Sequence, residues 1–193
     1  MRGLLLAAGA GSRMGTPKAL VSDDDGAWLP RGVRTLLEGG CDAVGVVLGA
    51  AVDEARPLVP PDVDIVVADD WAAGMSASLR SGLVSLASTD ADAAVVHLVD
   101  LPDVGPDVVR RLLRAAGGGG GSAPGGDALA GALARASYAG LPGHPVLLGR
   151  DHWAAIIGSV TGDQGARDYL RTQGAALVEC GDLASGRDVD ARE

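Results

Sequence analysis

The sequence predicts an α/β protein: a mostly parallel sheet with helices on both faces, three layers deep. Three observations predict it. Short runs of Val, Leu and Ala carry no polar alternation, so each reads as a strand buried on both faces. Segments of helical spacing lie between these runs, and strand–helix alternation calls for parallel pairing. After a Gly-rich stretch at 117–126 the pattern changes, which adds a small, partly antiparallel extension.

In chain order, residues 3–8 read as the first strand. Residues 29–38 have helical spacing and stop at Gly39-Gly40. AVGVVL at 43–48 is a second strand, 51–58 a short helix cut by Pro57, and 63–67 a third strand. A helix over 76–87 puts Leu79, Leu83 and Leu86 on one face. Residues 93–99 form a fourth strand. The helix at 106–116 carries Pro106 in its first turn, where a missing N–H costs little. Beyond the Gly-rich stretch, 130–138 and 145–148 read as strands. Helices follow near Trp153 and over 166–171, then a last strand at 175–179. No repeat appears, and 1–193 reads as a single domain.

Composition narrows the function. The chain has 47% hydrophobic residues but no Phe and only 3% aromatics, so its core is aliphatic. A net charge of -9 argues against nucleic acid as a partner, because phosphate backbones demand clustered cations. Cys41 and Cys180 fit no metal-ligand spacing and read as reduced thiols. LLLAA is too short to span a membrane, and no cleavage-site pattern follows it, so the expected location is cytoplasmic.

The chain has 16 Lys+Arg, and only Lys18 is lysine. It closes the segment GAGSRMGTPK, directly after the first strand. Met14 stands where a G-x-G-x-x-G loop needs its third glycine, and Thr16-Pro17 separate Gly15 from Lys18 where a P-loop needs Gly-Lys. The segment instead has the form L-A-A-G-x-G-x-R-M-G-x-P-K. Small residues let backbone N–H groups close around an anion. Arg13 can fork onto phosphate oxygens. Pro17 holds Thr16 extended and turns Lys18 back towards the loop. Lys18 offers a compact charge on a flexible stem, able to follow a phosphorus as its geometry changes.

This loop resembles the signature of nucleotidyltransferases with a MobA-like or IspD-like fold. GMSASLRSGL (74–83), LVDLPDV (98–104), GLPGHPVLLGRDHW (140–153), GDQGARDYL (162–170) and DVD (188–190) resemble, in order, the motifs of molybdenum cofactor cytidylyltransferases and their relatives. The resemblance spans the chain. It implies a Rossmann-like αβα fold of the nucleotide-diphospho-sugar transferase type. It also implies transfer of a nucleotide from a nucleoside triphosphate to a phosphorylated small-molecule acceptor, with release of pyrophosphate. An acceptor phosphate is already largely ionised at neutral pH, so no strong general base is needed. That agrees with the absence of a Ser/His/Asp or Cys/His arrangement.

The expected site residues follow from the same motifs. Arg13 and Lys18 are the catalytic cations. Leu6, Ala7, Ala8, Gly9, Gly11, Lys18, Asp69, Gly74, Ser76 and Asp100 are expected at the nucleotide. Ser76 reads equally as an ordinary helix cap. Asp100 in LVDLP and Asp190 in DVD are the implied Mg²⁺ ligands. Asp100 reads otherwise as a turn cap before Pro102, and Asp190, in a tail lacking the usual Thr-Pro, as a solvated acid. His144 reads as an acceptor contact or as a structural turn residue, and His97 as a core histidine. Trp71 and Trp153 read as packing residues. Arg110, Arg111 and Arg114 read as a charged helix face, and 117–126 as a linker or a flap. LAAG favours CTP as donor, molybdopterin is the implied acceptor, and a molybdoenzyme the implied protein partner. Two other readings keep part of this picture: transfer to a sugar or alcohol phosphate, and a carrier that binds nucleotide or pterin without turnover.

Overall fold

The structure, a computed structural model, describes residues 1–117 and 126–189. Its strands are β1 (Arg2–Ala7), β2 (Ser22–Asp23), β3 (Gly26–Ala27), β4 (Ala43–Leu48), β5 (Asp64–Val67), β6 (Ala93–Leu98), β7 (Leu133–Tyr138), β8 (Leu141–Gly149) and β9 (Ala176–Glu179). Its helices are α1 (Trp28–Gly39), α2 (Val52–Ala55), α3 (Met75–Ala87), α4 (Pro106–Ala116), α5 (Gly126–Ala130), α6 (Trp153–Ser159) and α7 (Arg167–Thr172).

Seven strands form one sheet in the order β5-β4-β1-β6-β8-β7-β9, and β2 and β3 form a separate hairpin. β5, β4, β1 and β6 run parallel; β8 is antiparallel to both its neighbours. The predicted αβα class with a partly antiparallel extension is therefore the observed one.

β1 explains the three layers. Alternate side chains of a strand face opposite sides. Leu5 and Ala7 join Val33, Leu36, Val95 and Leu112 under α1 and α4. Leu4 and Leu6 join Leu79, Leu83, Val96 and Ile156 under α3 and α6. A strand serving two cores has no room for a polar side chain, which is why the run looked unbroken in the sequence. Cys41 and Cys180 are free and buried.

Two boundaries differ from expectation, and one hairpin was not foreseen. The strand expected from 130 begins at Leu133, because residues 126–130 form α5, where Ala128, Leu129 and Ala130 are good helix formers. β8 extends back to Leu141, through Pro142 and Pro145. Those prolines are tolerated because β6 pairs with β8 only from Val146 onward, and the β7–β8 register shifts between Arg135 and Ser137. The hairpin β2–β3 has too few residues to leave a periodic signal. The three arginines of α4 also do not all lie idle: Arg110 donates to the Glu38 carbonyl at 2.7 Å and Arg111 to the Glu179 carbonyl at 2.9 Å.

Candidate active site

β4 leaves β1 on one side and β6 leaves it on the other, so the carboxyl ends of β1 and β6 flank a switch point in the sheet. Two segments meet there: the loop after β1 and the turn after β6. Gly11 sits at φ 61°, left-handed backbone that glycine adopts freely. A Cβ on Gly11 would also run into the Thr16 carbonyl. Pro17 is extended, with φ -54° and ψ 130°, and a 3-10 turn Lys18–Leu20 follows. Buried Ala19 anchors that turn and directs Lys18 inward.

Lys18 Nζ donates to Asp100 Oδ2 at 2.5 Å, and both side chains are largely shielded, at 17% and 15% exposure. The Asp100 carbonyl accepts from the Val189 N–H at 3.0 Å, which brings the chain's last described residue to the end of β6.

These residues border a cavity of about 340 Å³. Its wall runs along Leu6–Ser12, then Lys18, Asp100, Trp71, Gly74 and Ser78. Of the residues expected at the nucleotide, Leu6, Ala7, Ala8, Gly9, Gly11, Lys18, Gly74 and Asp100 line it. Asp69 is exposed and does not. Ser76 is 1% exposed and turned into the protein, where its hydroxyl has no partner among the described residues. Nor does it cap α3, whose N-cap is Gly74. Two residues further on, Ser78 takes the place at the wall. Arg13 lies on the exposed outer part of the loop, outside the lining. Asp190 lies outside the described residues, as do residues 118–125 of the Gly-rich stretch.

A second cavity, of about 230 Å³, adjoins the first, and Leu6, Met75, Leu98 and Asp163 border both. His144 lines it, on the first half of β8. Burial, with help from His97, Arg135 and Arg167, pushes the His144 imidazole down to about 3, so the ring is neutral at ordinary pH. His97 is buried at 1% exposure on the opposite side of β6, and burial pushes it down to about 4. Its Nδ1 and the Arg31 Nε lack partners among the described residues and border a cleft of about 10 Å³, the size of one water.

Sequence reasoning passed over Trp71 and Asp163. Trp71 packs against the core under α3, as expected, and also forms part of the first cavity's wall. Asp163 belongs to the quoted motif GDQGARDYL and sits where the two cavities meet. A Cβ on Gly74 would strike Asp163 and Gly162, so a glycine at 74 is what lets that loop close on α3.

Residues 3–177 match the MobA-like NTP transferase domain. The chain belongs to that family. The resemblance carried by the loop after β1 therefore holds. A MobA-like relative, nicotine blue oxidoreductase of Paenarthrobacter nicotinovorans, is 34% identical over 99% of this chain and 92% of its own. The probable molybdenum cofactor guanylyltransferase of Rhodopirellula baltica is 32% identical over 58% of this chain and 54% of its own. Among solved structures, the homologue of Mycobacterium tuberculosis Rv0371c from Mycobacterium sp. strain JC1 superposes with a TM-score of 0.77. It is 30% identical, over 98% of this chain and 90% of that one.

The donor set bears on the divalent metal implied for a MobA-like enzyme. Among the described residues no three His, Cys, Asp or Glu side chains cluster. Among the described residues the carboxylates of the first cavity's wall are Asp100 and Asp163, and the Val189 backbone lies against Asp100. Hard oxygen donors in small number suit an ion that takes most of its ligands from phosphate and water. Among the described residues no helix is long and apolar enough to cross a membrane.

Proposed function

We propose that this protein is a metal-dependent nucleotidyltransferase, taking CTP in the first cavity and a phosphorylated acceptor of the molybdopterin type in the second. The observation that carries the reading is the Lys18–Asp100 pair, 2.5 Å apart at the rim of a glycine-lined cavity. A cation and a hard anion held together there are what a triphosphate and its metal require.

The acceptor phosphate oxygen forms a bond to the α-phosphorus. The bond from that phosphorus to the β-phosphate oxygen breaks, and its electron pair leaves with pyrophosphate. Backbone N–H groups of the loop and Lys18 hold the triphosphate in line. Lys18 then follows the charge that grows on the α-phosphate oxygens, and Arg13 adds a second cation at the outer edge of the loop. Asp100, with Asp190 of the tail, would hold the divalent ion, magnesium on the sequence reading, which supplies charge neutralisation to the phosphates when bound. His144 faces the acceptor side as a neutral ring.

The relative from R. baltica supports a molybdenum cofactor acceptor but makes GTP the competing donor. A screen of CTP, GTP, ATP and UTP against pterin, sugar and alcohol phosphates, read as pyrophosphate release, decides donor and acceptor together. Lys18→Ala should lower turnover about 10²–10³-fold with an unchanged melting curve. Near-wild-type pyrophosphate release in that variant would falsify the role.

The relative from P. nicotinovorans favours a second reading, an oxidoreductase in which the first cavity takes a reduced nicotinamide nucleotide and the second an oxidised ring compound. Hydride would pass from nucleotide to ring. Consumption of the reduced nucleotide by a ring substrate, without pyrophosphate release in the donor screen, would establish it.

A further inference from the structure

The second cavity holds an electrostatic imbalance. Arg135 on β7 is a charged residue only 9% exposed. Its Nε and Nη2 donate to a single carbonyl, that of Gly143, at 3.4 and 3.2 Å. Both are long for a charge-assisted bond. Arg167, at the start of α7, lines the same cavity. Among the described residues neither arginine makes an ion pair.

Several other arginines are tied to more than one carbonyl or to a carboxylate. Arg80 and Arg150 donate to helix and strand ends, and Arg111 donates to Asp182. Arg135 differs. A guanidinium taken out of water without a counter-charge is costly, and a second one nearby adds repulsion. Burial and Arg167 both disfavour its charge. Asp163 and Asp188 also line the cavity, but both are exposed and neither lies within ion-pair distance of either arginine. His144, between the arginines and β6, is neutral.

Apart from these groups and Gln164, the wall is largely apolar, with Leu79, Val96, Leu98, Val146, Leu148 and Leu170. A pocket with an aliphatic floor and one strong cationic corner fits a ligand of matching division. Arg135 also sits two strands from β6, about 10 Å across the sheet from the strand that leads into Asp100. It can hold one part of a ligand while another part reaches the junction at Asp163.

We propose that Arg135, supported by Arg167, is the specificity-determining residue of this cavity, taking an oxyanion (carboxylate or phosphate) other than the reacting phosphate, on an acceptor whose body inside this cavity is an apolar ring or chain. This rests on reading the second cavity as the acceptor chamber. An oxyanion there would accept parallel bonds from the planar guanidinium and restore charge balance.

Phenyl phosphate is the probe, with benzyl alcohol as its neutral counterpart. Binding is measured calorimetrically and by the NMR signals of the His144 imidazole, which reports on this cavity alone. Phenyl phosphate should bind the wild type and raise the His144 pKa, and benzyl alcohol should bind at least tenfold more weakly. Arg135→Met should weaken phenyl phosphate at least tenfold, Arg135→Lys less, and Arg167→Met by several-fold. Nucleotide affinity should be unchanged in all three. Equal phenyl phosphate affinity in the wild type and Arg135→Met, equal affinity for the neutral probe, or no effect on His144 would each overturn the proposal. If no nucleotide binds the wild type while phenyl phosphate binding still depends on Arg135, nucleotidyl transfer fails as a reading and the role of Arg135 stands.

Discussion

A guanidinium at position 18 would keep the charge and lose the fit. Lys18 reaches Asp100 from a 3-10 turn, through a gap bordered by the loop's own backbone. A planar fork cannot rotate about a shifting phosphorus as an ammonium can. Lys18→Arg should therefore lower kcat at least tenfold while changing nucleotide KM much less, as steady-state kinetics would reveal. His97 carries a different prediction. Its native pKa is pushed down to about 4 from the ordinary 6.5, so between those values the unfolded chain binds a proton that the native protein refuses. Stability is thus full above about pH 6.5 and is lost as pH falls towards 4. The loss from this residue is on the order of 3 kcal/mol. His144, pushed down in the same way, loses stability over the same range, so urea unfolding at pH 7 and pH 4.5 should differ by several kcal/mol, and His97→Gln should reduce that difference by roughly 2–3 kcal/mol. Lys18 was legible from the sequence because it is the sole lysine and stands in a motif. Trp71 was not, because nothing in its neighbours distinguishes a cavity wall from a core contact.

Helix α1 meets α4 through a glycine. A Cβ on Gly39 would come within 2.5 Å of Val109 Cβ, an atom next to the α4 backbone that cannot swing aside. Gly39→Ala should cost about 1–3 kcal/mol, measured as a lower urea midpoint, with nucleotide binding unaffected because the contact lies away from the loop. In the sequence, Gly39 reads only as a helix stop, which is half of its role. The β7–β8 pair is a similar case. Periodicity found its apolar end at 145–148 but missed the part that carries Gly143 and His144. Two prolines and a register shift erase the alternation on which strand recognition depends.

Across the whole molecule, the described part of the tail is tied to the turn after β6 by Ser185 and Gly186, which donate to Asp103, and by one backbone bond further on. Val189 donates to the Asp100 carbonyl and packs partly against the core under α1 and α4. Removing residues 188–193 forfeits at least that backbone bond, about 1 kcal/mol, and should lower Tm by at least about 2–4 °C. Turnover at saturating metal should fall at least tenfold, because Asp190 goes with the tail. Thermal melts beside activity assays would separate the two effects, and unchanged activity would remove Asp190 from the site. The sequence alone determined the αβα layering, the small-residue loop after β1 and the family, since each is written in short-range patterns: unbroken apolar strands, small residues at a turn, motifs in order. Only the tertiary structure decided that Ser78 rather than Ser76 faces the cavity, that Asp163 joins two chambers, and that Arg135 stands buried without a counter-charge among the described residues. Those facts depend on which side of an element faces which neighbour, and that is set by packing between segments far apart in the chain.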